Sequence, residues 1–146
     1  MKKFSKILFS FITTGLLVTG CSSKDIQNVS IEKIALQEAK KITSEQGYTL
    51  KSEILTDSDI MIGDSKVFTF IEDASIEGGY SKDDFNSITE DRKIVGYELE
   101  EKSKIDEPIM LCIVIDKGKV IGAYLDYSGY IPGITSIDFK DDFKQF

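Results

Sequence analysis

From Ser30 onward the apolar residues first recur at helical spacing, with Ile31, Ile34, Ala35, Ala39 and Ile42 falling on one side of a helix. Ser30 is a suitable N-cap, Glu32 stands in the first turn where the helix dipole favours an anion, and Gly47 is placed to end the element. The spacing therefore predicts an amphipathic helix over 31–46. From Tyr48 the period drops to two. Tyr48, Leu50, Ser52 and Ile54 alternate with Thr49, Lys51 and Glu53, which predicts a half-buried strand. Turn-forming residues follow at 56–59 and 63–65, around a short apolar Ile60-Met61-Ile62. Lys66 to Glu72 is rich in β-branched and aromatic residues and predicts a second strand, with a loop over 74–80 carrying Gly78-Gly79. Ser81-Lys82-Asp83-Asp84 reads as a capping box opening a short helix that carries Phe85 and Ile88 on one face.

The last third predicts three strands, Lys93 to Lys102, Ile109 to Asp116 and Lys119 to Tyr127. Asp116-Lys117-Gly118-Lys119 supplies the tight turn between the last two, with Gly118 where a positive φ is wanted. Ile109 to Ile115 does not alternate, so both faces of that strand must be covered, which makes it central. The expected fold is α+β: an N-terminal amphipathic helix packed on a four- to five-stranded antiparallel sheet. The second helix, the C-terminal tail or a partner has to cover the other face.

Before Ser30 the pattern is different. Lys2, Lys3 and Lys6 lead into a run of 12 residues, Ile7 to Val18, that is apolar apart from Ser10, Thr13, Thr14 and Gly15. As a helix it would reach about 18 Å, against roughly 30 Å of hydrocarbon in a bilayer, so it is too short for a stable span. A basic start, a short apolar stretch and small residues before Cys21 are the layout of a secretory signal. Val18-Thr19-Gly20-Cys21 resembles the lipobox of bacterial lipoproteins. That resemblance implies diacylglyceryl transfer to the Cys21 sulfur as a thioether, cleavage after Gly20, and fatty acylation, such as palmitate, of the new amino group. Two acyl chains meet the requirement that stable anchoring takes more than one lipid. The expected organisation is then a lipoprotein signal peptide over 1–20, a lipidated tether over 21–29 and a single globular domain over 30–146. As a flexible linker, Ser22 to Val29 spans about 16 Å. The expected location is the extracytoplasmic face of the cell membrane, within the cell envelope.

Charge narrows the partners. Three of the 18 basic residues and none of the 25 acidic ones lie in 1–20, which leaves 15 against 25 and a net charge of −10 on the mature chain. So acidic a surface is repelled by phosphates, which argues against nucleic acid as a partner. The expected partners are membrane lipid, through acylated Cys21, and an envelope protein or small envelope ligand.

Composition also limits the chemistry. There is no histidine, which removes the Ser-His-Asp and Cys-His routes to nucleophilic catalysis. With Cys21 taken by lipid, Cys112 has no disulfide partner, and its place in an apolar run predicts a buried, inert thiol. Ser30-Ile31-Glu32-Lys33 matches S-x-x-K, but the chain is too short for a penicillin-recognising fold and lacks the S-D-N and K-T-G elements. Asp57 and Asp59 with Gly63-Asp64 suggest a calcium loop, yet Met61, Ile62 and Phe68 occupy positions where an EF-hand needs a ligand, a glycine and a glutamate. Asp138, Asp141 and Asp142 are read as solvated, like those turn residues. No metal, no cofactor and no catalytic residue is expected. Carboxylate pairs stay open as the basis of a small envelope hydrolase or transferase, because pairing depends on geometry.

The candidate binding residues are Tyr124, Tyr127, Tyr130 and Pro132, which surround Ser128-Gly129 at the end of the last strand. Tyrosine offers contact area at low entropy cost, and the competing role is packing of the tail on the sheet. Val114 to Gly133, with Lys-Gly-Lys, Val-Ile-Gly and a final glycine-aromatic turn, is similar to the ending of an uncharacterised domain family carried by bacterial lipoproteins. The family's double glycine is Gly122-Ala123 here. That resemblance implies no activity.

Overall fold

The computed structural model describes residues 23–52, 65–87, 91–127 and 133–139, with side chains from residue 31 in the first helix and from 66 in the second. Three helices, α1 (Ser23–Gln46), α2 (Ser65–Glu77) and α3 (Lys82–Asn86), precede four strands, β1 (Lys93–Lys102), β2 (Pro108–Asp116), β3 (Lys119–Tyr127) and β4 (Ile134–Thr135). The strands form one antiparallel sheet in the order β1-β2-β3-β4. The class is α+β, as the sequence predicts.

The meander forms where the alternation places it. At its β2–β3 turn both Lys117 (φ 49) and Gly118 (φ 76) have positive φ, the backbone of a turn that matches strand twist. Register shifts between Val114 and Ile115, where two partners on β3 are one residue further apart than on β2; Ile121 is the extra residue of this bulge.

Cross-strand partners share a face, so the register sorts the sheet into two sides. Val95, Tyr97 and Leu99 of β1, Ile109, Leu111, Ile113 and Ile115 of β2, and Ala123, Leu125 and Tyr127 of β3 are buried in one cluster that also holds Ala35, Ala39, Ile42, Tyr48 and Ile137. Cys112, Val114, Ile121 and Tyr124 are buried in a second cluster with Ile71 and Ala74 of α2 and Phe85 of α3. The two-sided burial of β2 is therefore met by α2 and α3 on the second face.

Three expectations change. Residues 66–72 are helix, not strand, and α2 continues through the expected loop to Glu77. Phe68 is partly buried and Ile71, Ala74 and Ser75 are buried, a spacing of three to four that a strand cannot present on one face. Burial on the helical period outweighs the strand preference of Val67, Phe68, Thr69 and Phe70. Second, α1 begins at Ser23, not at residue 31, so Ser30 is an interior helical residue and not the N-cap. No glycine or proline interrupts Ser23 to Ser30, and nothing there stops a helix from running on. Third, in the expected strand at 48–54 the described residues supply only a bridge from Leu50 to Leu99, flanked by Lys51 N–H to Glu98 O and Glu100 N–H to Thr49 O. Residues 53–64, with the Asp57, Asp59 and Asp64 turn, lie outside the described residues.

The caps are local and largely as expected. Gly47 (φ 74) ends α1, with its N–H and that of Tyr48 both on the Thr43 carbonyl. Ser81 caps α3 by accepting from Asp83 N–H at 3.2 Å. Asp84 does not close a capping box; its carboxylate takes Lys119 Nζ at 2.6 Å. Among the described residues no helix is long and apolar enough to cross a membrane.

Candidate functional site: the polar groups between α2 and the sheet

On the α2 side, register lines up three rows across the strands. Ile94, Val114 and Gly122 form the first, Gly96, Cys112 and Tyr124 the second, and Glu98, Met110, Asp126 and Ile134 the third. The first is closed by α2 and α3. A Cβ on Gly122 would come within 2.6 Å of Ser75 Oγ and 2.7 Å of Phe85 Cζ, so the absence of a side chain there lets α2 and α3 press onto β3. Phe68 meets Phe85 with ring centroids 6.0 Å apart, and the Arg92 guanidinium lies 4.5 Å over the Phe68 ring.

The second row carries the polar anomalies. Cys112 is buried, and burial pushes its thiol up to about 12, with Asp126 adding to the rise. Tyr124 has no exposed surface, and its hydroxyl finds no hydrogen-bond partner. Burial, then Cys112 and Asp126, holds the tyrosine pKa above its ordinary value. Ser75 on α2 is equally buried and its Oγ is likewise without a partner. A buried hydroxyl left unsatisfied costs about 1–3 kcal/mol, so two on one side of a sheet call for a physical reason.

The third row is more open. Asp126 is half-buried, and burial raises its carboxyl above the ordinary aspartate value. Glu98, two strands away on the same face, is held by Lys51 Nζ at 2.6 Å. Met110 and Ile134 flank Asp126 in the row, both partly buried.

Of the candidate binding residues, Tyr124 is fully buried and Tyr127 is 4 % exposed. Neither ring offers contact surface. Tyr127 belongs to the first cluster, its N–H bonds the Gly133 carbonyl at 2.8 Å and its hydroxyl reaches Phe139 O at 3.4 Å. Tyr130 and Pro132 lie outside the described residues, as does Cys21. Asp138 accepts from Ser136 Oγ at 2.5 Å, while Asp141 and Asp142 are not described. Among the described residues no group of three or more Cys, Asp or Glu gathers as metal ligands.

Sequence reasoning missed Ser75, Gly122 and Asp126. Asp126 left a signal: an acid between Leu125 and Tyr127 in an otherwise apolar strand, on the same face as Tyr124. Ser75 left none, because its stretch reads as a loop until the helix is known. The chain matches no protein-family model, no curated protein and no solved structure.

Burial of Cys112 gives a direct check. In a Cys21→Ser background the remaining thiol should stay unlabelled by a disulfide reagent at pH 8, where a group with a pKa near 12 is almost wholly protonated, and react once denaturant is added. Fast labelling of the folded protein would overturn the central position of β2.

Proposed function

We propose that the protein is a bacterial lipoprotein, processed after Gly20, acylated on Cys21 and held on the extracytoplasmic face of the cell membrane. Its domain acts there as a non-catalytic binding module for an envelope protein or small ligand. The anchor rests on the basic start, the short apolar run and Val18-Thr19-Gly20-Cys21. The binding role is carried by one observation, the half-buried Asp126 in the more open third row on the α2 side, two residues along β3 from Tyr124. In this reading α1 packs along the opposite face as the structural support, through Ala35, Ala39 and Ile42 in the larger cluster. The face under α2 is then the one that meets a ligand.

A second reading, a small carboxylate-based envelope hydrolase or transferase, draws on the Glu98–Met110–Asp126 row. Two strand spacings put the two acidic residues about 10 Å apart at the backbone, and a desolvated carboxyl facing a second carboxylate is how acid and base roles are divided. Glu98 is engaged by Lys51, and that pair must open before a substrate can use it. The binding reading has no such requirement.

Cys21→Ser removes the acceptor of the lipid, so the protein should leave the membrane fraction or stay uncleaved, and labelled fatty acid should no longer be incorporated. Continued incorporation defeats the anchor. For the domain, a photo-crosslinking residue at position 110 in intact cells should capture a partner or ligand in a manner lost on Asp126→Asn. Turnover of an envelope substrate that disappears in Glu98→Gln would establish the hydrolase instead.

A further inference from the structure

The mature chain is strongly acidic, yet its charge is unevenly placed along the sheet. β2 turns into β3 at Lys117-Gly118, and Lys93, opposite Ile115, begins β1 at the same end. α2 and α3 reach this turn end as well: the Arg92 guanidinium lies over Phe68, Phe68 meets Phe85, and Asp84 takes Lys119. Among the described residues it carries Lys66, Lys82, Arg92, Lys93, Lys117 and Lys119 against four aspartates. At the opposite end, where β1 passes into β2, three lysines stand against Glu98, Glu100, Glu101, Asp106, Glu107 and Asp126. The two ends are about 30 Å apart, the length of a nine-residue strand. Two large apolar side chains are also exposed at the turn end. Val67 and Phe70, in the first two turns of α2, are 36 % and 44 % exposed.

We propose that this turn end, with Val67 and Phe70 of α2 and the basic side chains of Lys93 and Lys117, docks on the anionic phospholipid headgroups of the membrane; this rests on the Cys21 anchor proposed above and adds a second contact with the same bilayer. Basic side chains are attracted to an anionic lipid surface while apolar ones enter its interface. The chain as a whole is repelled by phosphates, so only an end of the opposite sign can make this contact. Tethering turns docking into an intramolecular step, for which a modest patch suffices. The path of α1 agrees. It ends at the acidic end, where Leu50 bridges Leu99 and Glu101 accepts the Thr49 N–H at 2.8 Å. A helix of 24 residues is about 36 Å long, so its anchored start lies far from that end. Docking in this pose leaves the Asp126 row, at the other end of β3, turned toward the envelope.

The test uses the mature lipidated protein in vesicles of phosphatidylcholine, alone or mixed with phosphatidylglycerol, each with a trace of lipid bearing a quencher on its headgroup. A fluorophore is attached through Thr69→Cys on α2 or Ile105→Cys at the acidic end, both exposed positions, and the buried Cys112 does not compete for it. In the anionic vesicles the label at position 69 should be quenched and the label at 105 should not. That contrast should vanish in phosphatidylcholine, and in about 1 M salt, where surface charges are screened. Lys93→Gln with Lys117→Gln should shift the docked-to-free ratio about 30-fold toward free, at roughly fivefold for each charge lost. Phe70→Ser should weaken docking too. Lys102→Gln with Lys104→Gln, the same charge change at the acidic end, should leave the contrast as it was. Equal quenching at both positions, stronger quenching at 105, or a contrast that survives both high salt and the Lys93 and Lys117 substitutions would each overturn the proposal. If the purified protein carries no lipid, the anchor reading fails; salt-sensitive cosedimentation with the anionic vesicles then supports docking alone, and its absence removes both.

Discussion

Leu111→Ala should lower the unfolding free energy by about 3–5 kcal/mol, the upper part of the range for leucine truncation in a core. Leu111 is in the middle of the central strand, with no exposed surface, and its cross-strand partners Tyr97 and Leu125 are 1 % and 0 % exposed. Partners on both sides of a central strand cannot move in to fill the space without breaking the ladder, so the cavity stays. Single domains of this size are stable by roughly 5–15 kcal/mol, which makes the loss a large share of the total. Met110, the next residue, faces the other way and is only partly buried, so Met110→Ala should cost much less. Urea unfolding of the two variants measures the contrast. Similar losses would contradict the two-sided sheet.

Gly133→Ala should be the second large effect, and its cause is backbone against backbone. A Cβ at Gly133 would lie 2.2 Å from Tyr127 O and 3.1 Å from Tyr127 C, atoms that cannot rotate away as a side chain can. The Gly133 carbonyl also takes the Tyr127 N–H at 2.8 Å, and the pairs Leu125–Thr135 and Asp126–Ile134 follow directly. Forcing the strands apart there loosens β4 and with it the turn that holds Ile137, whose carbonyl accepts the Tyr48 hydroxyl at 2.5 Å. About 2–3 kcal/mol is expected, in the range of overpacking. Hydrogen exchange at Tyr127 N–H should lose protection. If exchange and stability are both unchanged, the close approach at Gly133 is not needed.

The candidate site was legible only in part. Tyr124 was singled out from the sequence, but as a ring at a surface turn, whereas the register turns it inward opposite Cys112. Its parity with Tyr127 was not decisive either: the two fall on opposite faces, and each is covered by a different cluster. Asp126 needed both facts at once, the face it occupies and the strand lying beside it, and the second is a non-local property.

What the sequence determined by itself was everything set within a few residues. The meander, the turn at Lys117-Gly118, the end of α1 at Gly47 and the cap at Ser81 all follow from period and from φ requirements that each segment carries alone. The burial of Cys112 followed as well, since an apolar run without alternation has no exposed side. Only the tertiary structure decided the state of residues 66–77, because Val67 to Ile71 suits a strand locally and becomes a helix through the burial of Ile71, Ala74 and Ser75 against β3. It also decided which groups were left without partners. Hydrogen bonding of Ser75 and Tyr124 depends on chain segments 49 positions apart being pressed together at Gly122, and no local pattern records what such a contact leaves unsatisfied.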